Sequence, residues 1–493
     1  MLRLIIPFPT ELRLRLPTIV GNVDYLTLRQ SLEQIDQLLR TSGVEQAFVE
    51  QALSGWRAEG ARTPSAGEQQ HFQLRSRKAL RCTVLRTLLQ EDYRGFSCQL
   101  AGNPLYQWFC LVDAVDQIRV PSKSELQRFA HWLPGDQMRA VIDTLLVSGL
   151  TQSRKLELKQ PLDLEGYFLD TTCLKANIHF PVDWVLLRDG VRTLMKATEL
   201  IRRQGLKGRM EPPAEFQRRI NRLSIAMTHQ RRRAEGKKGR KRVLRQMKQQ
   251  VKIVRNHARR HRELLDRDWA QTDWTRPQAE QVLRRMDGVL ALLPQAQKQA
   301  HERIIGGRLV PNAEKILSLY EPEVQVLVRG KAGAEVEFGN TVLLGENRQG
   351  IILDYQMWPE QAPADVDLLA ESVERVVTTL GRKMGAVVTD RGFASAANSR
   401  GLKACGIFDA TCPRPPAKLK ARMQETRFAD LQRRRGQTEG RISIVKQNFF
   451  GSPMRAKGFA HRELAVAWAV LTHNLWKFAR LRKKKKTLLL QAA

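Results

Sequence analysis

The chain has 493 residues, room for about three domains at roughly 100–200 residues each. Hydrophobic residues make up 42%, enough to fill real cores, so global disorder is excluded. Lys and Arg number 83 against 50 Asp and Glu, a net charge of +33 that points to a polyanionic partner, nucleic acid first.

The opening MLRLIIPFP is broken by Arg3 and Pro7, too short an apolar run for a signal peptide. No uncharged apolar stretch reaches the ~18 residues of a membrane-spanning helix, so a soluble, cytoplasmic protein without membrane contact is expected. Leu28, Leu32, Ile35 and Leu39 follow at helical spacing with Thr27 as N-cap, and residues 58–70 read as a linker. Residues 1–75 are thus a helical arm and linker.

Residues 76–155 read as a helical DNA-binding or dimerisation domain. Ser122-x-x-Glu125 after Pro121 is a capping-box signature opening the run Leu126, Phe129, Ala130, Leu133. Short helices joined by tight turns fit a helix-turn-helix module or a plain packing domain equally.

At Gly166 the texture changes. Tyr167-Phe168-Leu169 is a short apolar strand that runs into Asp170. Helical sequence then holds from about 185 to 300, and residues 201–262 carry a net charge of +19. No compact sheet needs such a crossover, so 201–304 is read as a basic helical insertion into a core formed by 156–200 and 305–455. The run is either a solvated face or a track for DNA phosphates.

Strand signals return at Val324–Val328 and Glu335–Phe338, and Thr341–Leu344 with Ile351–Met357 suggests a hairpin. Asp365 caps a helix through Leu380 that Gly381 stops. Ala386–Thr389 is a second short buried strand ending in an acid, Asp390, and Gly406–Cys412 a further one. Polar helical sequence covers about 417–450, an apolar helix 459–478, and a basic tail ends the chain, so residues 456–493 form a C-terminal helix and tail. The alternation predicts an α/β fold with a mixed sheet flanked by helices.

Two apolar strands that deliver Asp170 and Asp390 at or near their C-terminal ends place both carboxylates where open α/β sheets bind ligands. Carboxylates so placed suit Mg²⁺, and a pair of ions roughly 3.5–4 Å apart suits phosphodiester chemistry. A third acid lies in Arg435-Gly-Gln-Thr-Glu439-Gly-Arg-Ile-Ser-Ile-Val-Lys446. At about 100° per residue Glu439 sits about 40° and Lys446 about 20° from Arg435, all on one helical stripe. The alternative is a solvated i,i+4 charge pair.

Rival signals are weaker. Asp163, Asp183 and Asp354 are acids near strands but not at their ends. His257 and His261 form an H-x-x-x-H pair with Ala258 where a metalloprotease has Glu, and read as an exposed basic face. There is no G-x-S-x-G elbow and no phosphate-binding P-loop, so no nucleotide cofactor is expected. Six cysteines without a C-x-x-C pair read as reduced, buried thiols.

YFLDTT, VVTDRGF and R-x-x-x-E-x-x-x-x-x-x-K together resemble the three acidic motifs of bacterial insertion-sequence DDE transposases. DRGFASAANSRGLKACG, DYRGFSCQLAGNPLYQWFCL and PSKSELQRF are similar to further family segments, so the likeness spans most of 76–476. Gln432 stands where the family often has Tyr. The resemblance implies a ribonuclease H-like core with the first Asp on the central strand, the second on its neighbour and the Glu on a late helix. It implies a metal site of Asp170, Asp390 and Glu439 holding two Mg²⁺ or Mn²⁺ ions, with Arg435 and Lys446 positioning phosphates or Glu439. It further implies an enzyme that cleaves and joins double-stranded DNA, namely terminal inverted repeats and target, as a homodimer or larger assembly at the bacterial nucleoid. A DNA-binding relative without catalysis, or a nuclease of the same fold, are the competing readings.

Overall fold

The computed structural model describes residues 14–59, 64–114, 117–232, 236–331, 334–451 and 453–483. The opening apolar run, the middle of the expected 58–70 linker and most of the basic tail lie outside the described residues.

Among the described residues seven helices come first: α1 (Val23–Thr41), α2 (Val44–Glu59), α3 (Ala66–Leu89), α4 (Tyr93–Gly102), α5 (Pro104–Cys110), α6 (Lys123–Ala130) and α7 (Gly135–Thr151). Asn22, not Thr27, caps α1: its side chain accepts from the Tyr25 amide, while the Thr27 hydroxyl bonds back to the Val23 carbonyl. Ser122 caps α6 by accepting from the Glu125 amide, as its sequence predicts.

The expected boundary at residues 75 and 76 falls inside α3. There the buried Arg81 guanidinium donates to Asp36 of α1 at 2.6 Å and to Glu45 of α2 at 2.7 Å, tying three helices together. Helix α7 packs against α2 and buries Met138, Val141, Ile142, Leu145 and Leu146, so it is a core helix.

Strand β1 (Tyr167–Lys175) leads into four helices: α8 (Asp183–Arg203), α9 (Pro213–Arg232), α10 (Gly236–Asp268) and α11 (Arg276–Ala300). They share a core of their own, running from Trp184 and Leu187 through Met247 and Val254 to Leu293 and Leu319. Because α8 belongs to that core, the helical excursion starts at Asp183, earlier than residue 201. The stripe Val243, Leu244, Met247, Val251, Val254, Ala258 and Leu265 seats α10, and the spacing leaves Arg242, Arg245, Lys252 and Arg259 exposed.

The rest of the sheet follows: β2 (Gln325–Lys331), β3 (Ala334–Asn347) and β4 (Ile352–Met357), then α12 (Asp365–Leu380), β5 (Ala386–Thr389), α13 (Ala396–Ala404), β6 (Phe408–Thr411), α14 (Pro416–Arg422), α15 (Thr426–Val445) and α16 (Phe459–Leu481). The strands form one six-stranded mixed sheet, ordered β2-β3-β1-β5-β6 with β4 also on β3. The first and second halves of β3 pair with β2 and β4 on one edge, and β1 pairs antiparallel along the other. Strands β1, β5 and β6 run parallel.

Two expectations need correction. Glu335–Phe338 and Thr341–Leu344 are parts of one strand, and β1 runs on through Lys175, so Asp170 is its fourth residue. The polar Asp-Thr-Thr run stays extended because β3 pairs with it along its whole length, from Tyr167↔Asn347 to Lys175↔Gly339.

Helix α16 packs on α1, α3 and α7, and Asn474 bonds the Ile352 backbone from both its amide atoms. The helical layer, α16 and the sheet therefore share one core, from Leu32 through Leu343 to Phe478. Arg482, read from sequence as the start of the basic tail, is buried and ion-paired with Glu157 at 2.5 Å. No helix among the described residues is long and apolar enough to cross a membrane.

Candidate active site

Strand alternation decides what faces α15. Phe168 packs with Val388, Ala410, Phe428 and Leu431, and period 2 puts Asp170 and Thr172 on the same face. On the opposite face the Tyr167 hydroxyl meets Ser372 of α12 at 2.6 Å. The parallel pairs Tyr167↔Val387 and Phe168↔Val388, continued two residues, bring Asp170 level with Asp390. Strand β5 stops at Thr389, so the two acids sit where β1 outruns its neighbour.

Helix α15 continues the same logic at alternating spacings of three and four. Phe428 and Leu431 bury against the sheet, and Gln432, Arg435 and Glu439 follow on the stripe toward the acids. Gln432 donates to the Thr389 carbonyl at 3.2 Å and the Ala410 carbonyl at 2.6 Å, fastening the helix to the ends of β5 and β6. It also accepts from Arg435 at 3.3 Å. Arg435 in turn pairs with Glu439 at 3.3 Å, whose side chain is 61% exposed. Lys446, directly after α15, donates to the Thr172 hydroxyl at 3.2 Å, two residues along β1 from Asp170.

A second fastening holds the helix. Glu346 lies opposite Phe168 on the same face and accepts from Thr438 of α15 at 2.8 Å. Arg434 reaches it at 3.4 Å and lies over the Phe168 ring. Burial raises the Glu346 pKa, against the pull of Arg441, Thr438 and Arg434. Polar residues in α15 thus anchor it, a role that no sequence pattern marks.

The electrostatics join the pieces. The Asp170 carboxyl is pushed up to about 6, first by burial and then by the charge of Asp390. The Thr171 amide, at 2.8 Å from the Asp170 carboxylate, and the Arg435 charge oppose the rise, and Glu439 adds to it. All five expected residues therefore gather beside the middle of β1, where β5 ends. Asp390 is held by the Gly392 amide at 2.8 Å in the turn that ends β5.

Asp365, read from sequence as a helix cap, opens α12 instead, after Ala364. Its carboxylate accepts from the Thr171 hydroxyl at 3.1 Å and adjoins Gly392, where a Cβ would meet both Asp365 and Asp390 oxygens. Gly392 therefore lets the turn bring Asp390 close to Asp365, which bonds β1 on the α12 face, opposite Asp170.

The oxygen-only donor set suits a hard cation, and Asp170 is a buried carboxylate beside a second one, a pair that a cation would stabilise. Among the described residues no three His, Cys, Asp or Glu side chains converge as a closed metal cage. Glu439 would have to turn from Arg435 to join one.

The rival signals are accounted for structurally. Asp354 is bound by Arg139, Arg375 and Ser372, and Asp183 by Arg303 and Gln299. Asp163 accepts from the Glu165 amide at 2.7 Å. His261 is buried, not exposed: it meets the His257 carbonyl at 2.8 Å and accepts from the Gly208 amide at 3.3 Å. Of the cysteines, Cys98 and Cys405 are exposed, against expectation, and Cys82, Cys110, Cys173 and Cys412 are buried.

Comparison of the chain with protein-family models, curated proteins and solved structures gives no match in any of the three.

Proposed function

We propose that the chain is a metal-dependent enzyme of the DDE transposase type, which binds the terminal inverted repeats of an insertion sequence, cleaves DNA strands there and transfers them to target DNA. The observation that carries this reading is Asp170 level with Asp390 beneath the Arg435–Glu439 stripe. The parallel trio β1, β5 and β6, with the first acid on the central strand and the second beside it, supports the ribonuclease H-like assignment.

In this reading Asp170, Asp390 and a Glu439 released from Arg435 would hold two Mg²⁺ or Mn²⁺ ions. When bound, such ions lower the pKa of water and offset charge on a phosphodiester. Arg435, freed by that turn, and Lys446 face the scissile phosphate as cations. Gln432 and Glu346 keep α15 seated while Glu439 moves. The exposed cations of α10 hold duplex DNA away from the site, and two subunits act on two DNA ends.

The test is cleavage of inverted-repeat DNA after chelation, with Mg²⁺ or Mn²⁺ restored. Activity that returns with the ion and is absent from Asp170→Asn supports the reading, and full activity in EDTA overturns it. The Arg435–Glu439 ion pair favours one alternative, a DNA-binding protein whose site stays closed; a wild type that binds but never cleaves would establish it.

A further inference from the structure

The loop that carries Asp390 has a second side. There a groove of about 890 Å³ opens between α13, the edge strand β6 and α14. Six cations line it: Arg400 and Lys403 of α13, Arg414 and Lys418 beyond β6, then Arg422 and Arg427. Among the described residues Asp409 is the single acid in the lining.

Two of the cations lie against an aromatic ring. Arg422 bonds Glu425 and the Asp409 carbonyl, Arg427 the Gly385 carbonyl, and both lie against the Phe408 ring. The other four are exposed and have no carboxylate partner among the described residues. They are spread over consecutive elements instead of converging on one point, which suits a chain of anions better than a single phosphate.

The groove borders the loop that carries Asp390. Arg414 donates to the Arg391 carbonyl at 3.3 Å, the residue directly after Asp390. Ala394 and Ser395, at the end of the same loop, line the groove. Gln432 fixes both strand ends from the other side.

We infer that this groove is a nucleic-acid contact separate from α10, holding the sugar-phosphate backbone of one strand that leaves the carboxylates across residues 390–395. The direction of that strand rests on the proposed function; the ligand class rests on the unpaired charge. Four exposed cations without carboxylate partners along one groove attract counterions, and a polyanion gains by displacing them.

The test uses the full chain with Arg400→Gln, Lys403→Gln, Arg414→Gln and Lys418→Gln combined, and reads binding of a mixed-sequence single strand and its duplex across a salt series. Each lost phosphate contact lowers the single-strand log–log slope by about 0.7, so four contacts remove about 2.8. An unchanged slope overturns the inference. Arg400→Gln with Lys403→Gln, both on the surface of α13, serves if the fourfold variant fails to fold, with an expected fall of about 1.4. Cleavage by the wild type is scored separately. A lost slope with no wild-type cleavage keeps the groove and removes the proposed function, whereas cleavage with an unchanged slope does the reverse.

Discussion

Asp170 stands level with Asp390 on the neighbouring parallel strand, and it carries the electrostatic cost of that placement. Burial and the second carboxylate hold its pKa near 6, above the 3.8 of a free aspartate. The folded chain therefore keeps a proton that the unfolded chain gives up sooner as pH rises. Stability from this group is complete below pH 3.8 and drains away as pH climbs through 6, a loss of roughly 3 kcal/mol in all.

Asp170→Asn removes that loss. In chelator, its thermal midpoint should exceed the wild type's increasingly as pH rises from 3.8 through about 6, levelling off above about 7. Thermal unfolding across the pH series reads the gap directly. A gap that does not change with pH would mean that Asp170 ionises as freely as in the unfolded chain.

Gln432 predicts a separate outcome. Gln432→Ala deletes hydrogen bonds to the Thr389 and Ala410 carbonyls. Those carbonyls belong to the ends of paired strands, so the loss is modest, about 1 kcal/mol. Its effect on cleavage should be larger than its effect on stability, because Arg435 and Glu439 sit one turn and two turns further along the same stripe. Paired measurements of unfolding and cleavage decide this; cleavage that falls only as far as the lost stability explains would leave Gln432 a plain helix anchor.

The exposed face of α10 gives a third. Arg242, Arg245, Lys252 and Arg259 lie outside the stripe that seats the helix, so changing all four to Gln spares the core. If each meets a phosphate, the slope of log binding against log salt for duplex DNA falls by about 3.6, at 0.9 per contact. An unchanged slope would make the charge of this helix a solvated surface.

The parts of the fold that were legible in sequence are those where burial is uniform or punctuated. Ala386–Thr389 is buried on both faces and reads as one short apolar run. Helix α12 shows its apolar stripe and its glycine stop, Gly381 at φ +63°. Strand β1 past Asp170 was not legible, because pairing with β3, and not apolar content, keeps it extended. Strand β3 looked like two pieces because Gly339 and Asn340 interrupt it. A Cβ at Gly339 would collide with the Leu174 carbonyl, so the glycine marks close packing, not a turn. At the site, Asp170 and Asp390, each directly after a short apolar run, could be found from sequence, but the roles of Glu346, Asp365 and Gln432 could not: they depend on which elements the fold lays beside them.

Glu439 is the acid whose role depends most on movement. It is the most exposed member of the triad and is paired with Arg435, so as a metal ligand it would have to exchange one cation for another. An exposed i,i+4 pair is worth only about 0.3–0.5 kcal/mol, a small barrier to that exchange. Glu439→Gln keeps the side-chain size and the helix but removes the charge. If Glu439 completes a metal site, cleavage should fall by orders of magnitude, since active-site metal supplies several kcal/mol and each 1.4 kcal/mol is tenfold. Folding should be almost unchanged, because the pair lost is exposed, and DNA binding should survive on α10 and the groove. Glu425→Gln, one residue before α15 and paired with Arg422 at 3.0 Å, is the control for losing a surface acid nearby. Cleavage, binding and unfolding are measured for both variants and the wild type. Near-normal cleavage by Glu439→Gln would assign the third carboxylate elsewhere, and Asp365, bonded to Thr171 and adjoining Gly392, would be the next to change.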